Sequence, residues 1–230
     1  MILCFISDTH GQHENLKLNL FLEKILGKYP DSVLIHCGDI SNRGRDYEVV
    51  DFISWYDSLG FKKKILVAGN HDFLFETNPE RCNEILDGKT IIYLNDSGVE
   101  IDGIKFWGSP VTPWFYDWAF NRRGEIVDHW DLIPSDINIL ITHGPPKDIL
   151  DYTFNGHKNV GCPELSRKIG DLKNLIAHSF GHIHESFGTD IIDGVTYINA
   201  SFLNLSYYPA NYPIIFDTEE KKSYIFSDLD

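Results

Sequence analysis

The chain has 230 residues, 43% of them hydrophobic and 13% aromatic, enough to bury a sizeable core in one larger domain or two small ones. With 20 Lys plus Arg against 34 Asp plus Glu, the formal net charge is -14, which repels a nucleic-acid backbone or an anionic membrane unless bound divalent cations reverse the charge locally. No basic residue precedes the short apolar run at the amino terminus and no run of about 18 apolar residues follows, so neither a secretory signal nor a membrane span is expected, and the expected location is the cytoplasm.

ILCFIS (2–7) reads as a fully buried strand that delivers Asp8 and His10 straight out of its end. An unpaired charge taken out of water costs several kcal/mol, so partners for both are expected elsewhere in the chain. Residues 14–28 carry Leu16, Leu20, Ile25 and Leu26 at roughly helical spacing, and VLIHCG (33–38) is a second buried strand that ends at Asp39. Residues 46–59 place Val49, Val50, Phe52, Ile53 and Tyr56 on one helical face, and KILVAG (64–69) is a third strand that ends at Asn70 and His71. This β-α-β-α-β alternation predicts parallel strands covered on both faces.

A hairpin-rich block is expected from TIIYLND (90–96) through SGVEIDGIKFWGS (97–109), with Asp102-Gly103 between two alternating arms as the turn. NILIT (138–142) and AHSFG (177–181) are further buried strands, ending at His143 and at His182 and His184. FGTDIIDGVTYINAS (187–201) and YPIIFDTEEKKSYIF (212–226) repeat the hairpin pattern. No linker, low-complexity stretch or solenoid-period repeat interrupts the chain, so residues 1–230 are expected to form one domain with two packed sheets. Cys4, Cys37, Cys82 and Cys162 are widely spaced, without a Cys-x-x-Cys pair, and read as reduced core thiols.

In parallel sheets with right-handed crossovers the carboxyl ends of the strands share one edge, and ligands bind there. The residues just past those ends are Asp8, His10, Asp39, Asn70, His71, His143, His182 and His184. Carboxylates, an amide and imidazoles, without thiolate, suit Mn, Fe, Zn, Ni or Co better than Ca, and the set is too large for one ion.

The order Asp-x-His, Gly-Asp, Gly-Asn-His-Asp, Thr-His-Gly, Gly-His-x-His over residues 8–184 resembles the calcineurin-like metallophosphoesterase superfamily. That resemblance implies an α/β fold, a four-layered α/β/β/α sandwich of two mixed β-sheets flanked by helices, with two divalent transition-metal ions, manganese favoured and Fe, Zn, Ni or Co as alternatives. It further implies that Asp8, His10, Asp39 and His184 hold one ion and Asp39, Asn70, His143 and His182 the other, with Asp39 as the bridge. Gly38, Gly69, Gly144 and Gly181 beside these ligands fit tight turns or close backbone approach. Of the other histidines, His13, His129 and His157 read as ordinary core or surface residues. His36 and His178 sit in strands close to ligands, where an imidazole can serve as hydrogen-bond support.

WGSPVTPWFYDWAFNRRG (107–124), THGPP (142–146), GCPEL (161–165), FGHIHESFG (180–188) and YINAS (197–201) are similar to the metallophosphoesterase-domain-containing (239FB-like) phosphodiesterase group. That likeness implies phosphodiesterase activity, and a small phosphodiester or nucleotide is the expected substrate; the acidic balance and the lack of a basic stripe disfavour a long nucleic acid, and no membrane partner is expected. GDISNRG matches the protein-phosphatase pattern except at Asn42, where those enzymes carry an Asp that orients the catalytic histidine; an amide there is expected to accept a hydrogen bond from His71. Arg43 matches a phosphate-contacting arginine, or is a surface residue of its loop. Phe106, Trp107, Trp114, Phe115, Tyr116, Trp118 and Phe120 form either a hydrophobic plug joining the sheets or a platform that stacks an aromatic group. The expected roles are His71 as general acid, Asp39 as the shared catalytic carboxylate, and Arg43, Asn70, Trp114 and Trp118 at the substrate, with Asp72 orienting the His71 loop or acting as a turn acid. Other readings are a phosphomonoesterase, a protein-phosphatase-like enzyme, a dinucleoside polyphosphatase, a nuclease, or a catalytically weak nucleotide- or metal-binding module.

Overall fold

The computed structural model describes residues 1–154 and 156–226. Its elements begin with β1 (Ile2–Ile6), α1 (Leu16–Lys28), β2 (Val33–His36), α2 (Asp46–Ser58), β3 (Lys63–Leu66), α3 (Phe73–Thr77), α4 (Pro79–Leu86) and β4 (Ile91–Tyr93). Next come β5 (Ser97–Ile101), β6 (Ile104–Ser109), β7 (Thr112–Pro113), β8 (Asn121–Arg122), α5 (Ile126–Asp131) and β9 (Ile139–Thr142). The last part holds β10 (Tyr152–Thr153), β11 (Lys158–Asn159), α6 (Pro163–Asp171), β12 (Ala177–Phe180), β13 (Gly188–Ile192), β14 (Val195–Asn199), β15 (Ile214–Asp217) and β16 (Lys222–Ile225).

One sheet runs β16-β15-β1-β2-β3-β4, and the other runs β13-β14-β12-β9-β6-β5. In the first, β1, β2, β3 and β4 are parallel, β15 runs antiparallel to β1 and β16 antiparallel to β15; in the second, β14, β12, β9 and β6 are parallel, with antiparallel hairpin strands at both edges. Alternation along β1 explains the layering. Leu3 and Phe5 join Val33, Ile35, Ile65, Phe106, Ile139 and Ile141 between the sheets, while Cys4 and Ile6 face the helices. The outer face of the first sheet is covered by α1, α2, α3 and α4, and that of the second by α5 and α6. The four layers and two mixed sheets match the expected class.

Three details differ from expectation. In α1 the buried face is Leu18, Leu22 and Ile25, while Leu16 is 73% and Leu20 49% exposed. At about 100° per residue, Leu16 and Leu20 lie roughly 200° from Leu18, so both cannot share its face. Val50 is likewise exposed beside buried Val49. Third, Ile91–Tyr93 does not open the hairpin block but pairs in parallel with β3 in the first sheet. The crossover that allows this is made by α3 and α4, short helices separated by Asn78, whose side chain accepts from Arg81 N at 3.1 Å.

The hairpin turns follow their sequences. Asp102 and Gly103 have φ 49° and 82°, as do Asp193 and Gly194 at 50° and 82°, the left-handed pair that a type I′ turn demands. All four cysteines are free and buried. Among the described residues no helix is long and apolar enough to cross a membrane.

Candidate metal centre

The site lies where the parallel strands of both sheets end. Asp8 and His10 follow β1, Asp39 follows β2, Asn70 and His71 follow β3, His143 follows β9, and His182 and His184 follow β12. Backbone bonds lace these ends together: Asp8 N donates to Gly38 O (2.9 Å), His10 N to Asp39 O (3.0 Å), and Gly181 N to His143 O (2.9 Å). Asp8, His10, Asp39 and His182 have φ of 53°, 41°, 55° and 68°. Non-glycine residues rarely adopt this region, and such strain concentrates where side chains must be aimed against local preference. Two glycines leave room for the carboxylates: a Cβ on Gly69 would stand 2.2 Å from Asp39 Oδ1, and one on Gly181 would stand 2.0 Å from Asp8 Oδ2.

Three groups of donor atoms result, namely Asp8, His10 and His184; His10, Asp39 and His71; and Asp39, His143 and His182, with the atoms of each group within 4.8 Å of one another. His184 Nε2 is 3.3 Å from Asp8 Oδ1, and His10 Nε2 and His143 Nε2 are 3.6 and 3.3 Å from Asp39 Oδ2. Asn70 Oδ1 lies 2.9 Å from His143 Nε2, so the amide joins the second cluster through its oxygen. His71 Nε2 stands 4.0 Å from Asp39 Oδ2, while its backbone N–H donates to Asp39 Oδ1 at 2.8 Å.

These residues fit a pair of divalent cations, and the best sign is tautomeric. Nδ1 of His10 bonds Ser41 O (3.1 Å), Nδ1 of His143 bonds Cys37 O (3.0 Å), and Nδ1 of His184 bonds Asn204 O (3.1 Å). A carbonyl only accepts, so each Nδ1 carries the hydrogen and each Nε2 is turned inward, the atom that would meet a cation. Asp8 accepts from His182 N (3.1 and 3.0 Å) and from Ser201 Oγ (2.9 Å), which fixes its carboxylate. Cys37, the nearby thiol, is pushed up to about 12 by burial and offers no thiolate.

Protonation in the metal-free cluster follows from charge and burial. Burial opposes ionisation of both carboxylates, yet the His184 hydrogen bond to Asp8 and the His143 charge beside Asp39 hold both below the usual carboxylate range. Burial also opposes charge on the imidazoles, and it wins at His10, lowered to about 4, and at His182, lowered to about 3. At His143 and His184 it loses: Asp39 beside the first and Asp8 beside the second raise both to about 9. Protons therefore occupy these two Nε2 positions at pH 7 and must leave when a cation arrives. Loading at pH 7 should release about two protons per chain, and affinity should tighten as pH rises toward 9 and level off above it. Calorimetry in buffers of different ionisation heat measures the release; none at all would contradict the His143–Asp39 and His184–Asp8 pairings.

The remaining predicted residues take varied places. Trp118 packs against His71 with centroids 4.4 Å apart and the rings tilted by 34°, and Trp114 lies 3.8 Å under the Arg123 guanidinium. Phe106 and Trp107 are buried in the core, whereas Trp114 and Tyr116 are exposed. Thus the aromatic stretch divides into a plug and a surface wall. Arg43 is exposed and lines a cavity with Arg45, Phe73, Asp117 and Trp118 rather than any of the donor groups. The expectation for Asn42 needs correction: His71 Nδ1 bonds the main-chain carbonyl of Asn42 at 2.7 Å, while the Asn42 amide donates to His10 O at 3.0 Å. The side chain is occupied by the His10 carbonyl, and the histidine is held by backbone.

His36 and His178 support the strand ends by bonding Thr9 Oγ1 (3.1 Å) and Thr142 Oγ1 (2.8 Å), each next to a donor residue. Asp72 is more than a turn acid: it accepts from Ile40 N, Ser41 N, Ser41 Oγ and Gly69 N, clamping the Asp39 loop to the Asn70 loop. Burial, then the Asp39 charge, raises it to about 6. Tyr207 is an addition that the sequence does not announce. Its ring stands 4.8 Å from that of His10 and 5.4 Å from that of His184, on a loop whose residues carry no local signal of that placement.

Comparison with known proteins agrees with this arrangement. The sequence profile described as calcineurin-like phosphoesterase matches residues 1–186. Metallophosphoesterase domain-containing protein 1 of Homo sapiens is 37% identical over 235 residues, covering 92% of this chain and 69% of the relative. A UPF0046 protein of Caenorhabditis elegans is 34% identical, covering 96% of this chain and 76% of its own length. The solved structure of the TT1561 protein of Thermus thermophilus superposes with a TM-score of 0.70 at 12% identity, covering 97% and 96% of the two chains.

Proposed function

The chain belongs to the calcineurin-like phosphoesterase family, and on that premise we propose that this metal-dependent phosphoesterase is a dinuclear phosphodiesterase acting on small phosphodiesters or nucleotides. The observation that carries the reading is the position of Asp39, one buried carboxylate reaching donor groups on both sides of it. In the proposal Asp8, His10, Asp39 and His184 hold one ion and Asp39, Asn70, His143 and His182 the other. When bound, the two cations lower the pKa of a water, clamp phosphoryl oxygens and offset charge in an in-line displacement. The protein supplies the rest. Asp39 fixes the spacing of the two halves, the inward Nε2 atoms fix the donor geometry, and His71, anchored through Nδ1, presents Nε2 to the departing oxygen. Residues 1–230 act as one catalytic unit in the cytoplasm, with neither a long nucleic acid nor a membrane as partner, in keeping with the net charge of -14.

A diester is favoured over a monoester because room for a substituent flanks the centre on two sides, beside His182 and beside the Trp118 that packs on His71. Beside His182 opens a cavity of about 560 Å³, walled by Trp114, Phe115, Tyr116, Pro145 and Lys158. The Phe115 ring is 5.3 Å from His182, so a group attached to the phosphorus meets an aromatic face directly. Base stacking on such a face is typically worth about 1 to 3 kcal/mol.

The test is a panel of bis(4-nitrophenyl) phosphate, dimethyl phosphate, 4-nitrophenyl phosphate and nucleoside cyclic phosphates, run with Mn, Fe, Ni, Co and Zn in turn. The expected outcome is kcat/KM for aryl and nucleotide diesters above that for the monoester, with Trp114→Ala raising KM for those diesters and leaving alkyl diesters little changed. Preference for the monoester would establish the phosphomonoesterase reading instead. Nucleotide binding without turnover would leave a binding module, and equal losses on every ester with a lowered melting temperature would make Trp114 a packing residue.

A further inference from the structure

Arg43 and Arg45 converge on a second cavity, of about 420 Å³, whose other walls are Phe73, Asp117 and Trp118. Among the described residues neither guanidinium is engaged by a carboxylate, and Arg45 reaches only the Tyr47 hydroxyl at 3.3 Å. In a chain with 34 acids against 20 bases, two such cations at one opening are unusual. Asp117 is the single acid among the lining residues, so the two arginines leave the cavity net positive.

The backbone fixes this cavity on one side of the metal centre. Gly44, between the arginines, has φ 59°, and a Cβ on it would stand 2.1 Å from Phe73 N. Only glycine lets this turn press against the segment that follows His71. The preceding Asn42 carbonyl holds His71 Nδ1, and the Trp118 ring, 4.4 Å from that of His71 and 5.9 Å from that of Phe73, is the wall that the histidine shares with the arginine cavity. The same loop supplies Trp114, Phe115 and Tyr116 to the cavity beside His182. One loop therefore walls two cavities of different chemistry, an aromatic one at His182 and a cationic one at His71.

We propose that Arg43 and Arg45, with Trp118, form a subsite for an oxyanion carried by the leaving half of the substrate, while the half that keeps the phosphoryl group lies in the aromatic cavity beside His182. The inference rests on the phosphodiesterase reading and gives the cleavage a direction. The oxygen of water adds to phosphorus, the bond from phosphorus to the leaving oxygen breaks with its electron pair on that oxygen, and the proton on His71 Nε2 passes to it; the proton of the attacking water goes to solvent. Because the proton donor faces the leaving oxygen, the group attached to that oxygen lies on the His71 side, against the arginines. A planar guanidinium fork matches two oxygens of a carboxylate or phosphate.

The experiment uses two leaving groups that differ by one carboxylate. Equilibrium dialysis of the metal-loaded protein should show 3-carboxy-4-nitrophenol bound at least about tenfold tighter than 4-nitrophenol, with the difference falling to about twofold in Arg45→Ala and to an intermediate value in Arg45→Lys, which keeps the charge and loses the fork. Turnover of methyl 3-carboxy-4-nitrophenyl phosphate should exceed that of methyl 4-nitrophenyl phosphate in kcat/KM by a similar factor, and Arg45→Ala should close that gap. Equal binding of the two phenols overturns the subsite. A binding preference without a kinetic one overturns its assignment to the leaving half. A binding preference with no turnover of either ester overturns the phosphodiesterase reading while leaving the oxyanion subsite standing.

Discussion

Asp39→Ala should abolish turnover and strip metal from both halves of the centre, whereas Asp8→Ala should deplete chiefly one. Asp39 Oδ2 lies within 3.3 to 4.0 Å of Nε2 of His143, His10 and His71, and its Oδ1 holds His71 N. Among the described residues no other side chain is grouped both with His10 and with His143: His10 itself links only the Asp8 and Asp39 groups, and Asp8 is grouped with His10 and His184 alone. Removal also releases His143 from the charge that raises it, leaving burial to dominate and disfavour its charged form. If the two cations supply several kcal/mol of transition-state stabilisation, the loss in kcat is at least about 10³-fold. Elemental analysis after reconstitution with manganese, beside a diester assay, decides the matter. Retention of both metals, or of wild-type activity, would show that Asp39 is not the shared ligand.

The donor residues are legible in the sequence because of where they stand. Each follows a short apolar strand; strand polarity sends Asp8, Asp39 and Asn70 to one edge of the first sheet and His143 and His182 to one edge of the second, and the packing of the two sheets brings those edges together. What periodicity misses lies where local pattern and packing disagree. Leu16 and Leu20 look as apolar as Leu18 and Leu22, but only one face of α1 meets the sheet, and the stripe that wins is the one with 4- and 3-residue steps, ending at Ile25. Residues 73–86 do not read as helices because Asn78 and Pro79 break the run into pieces of 5 and 8 residues, too short to show a period. Without them Ile91–Tyr93 has no crossover and reads as the start of a hairpin. Tyr207 and the Asn42 carbonyl are invisible for another reason: the first reaches the site from a distant loop, and the second acts through main chain that every residue possesses.

That main-chain anchor shapes the expected behaviour of His71. An alkoxide is a poor leaving group unless protonated, whereas a nitrophenolate departs unaided, so a side chain that delivers a proton matters for the first and much less for the second. His71→Ala should keep both metals and lose about 10² to 10⁴ in turnover on alkyl and nucleotide esters, with a distinctly smaller loss on nitrophenyl esters. The geometry supports donation from Nε2. Nδ1 gives its hydrogen to the Asn42 carbonyl at 2.7 Å, the Trp118 ring packs beside the imidazole, and Nε2 is left facing Asp39 across 4.0 Å. Because a backbone carbonyl holds the ring, Asn42→Asp should act through His10 rather than through His71: it removes the amide that donates to His10 O and sets a carboxylate against that oxygen. Its expected signature is weaker metal retention at the His10 side with the preference between ester types unchanged. For His71→Ala the expected signature is the reverse, full metal content with an altered preference. Metal loss in His71→Ala, or the same fractional loss on both ester types, would take the proton-donor role from His71 and leave it as a positioning residue on Asp39.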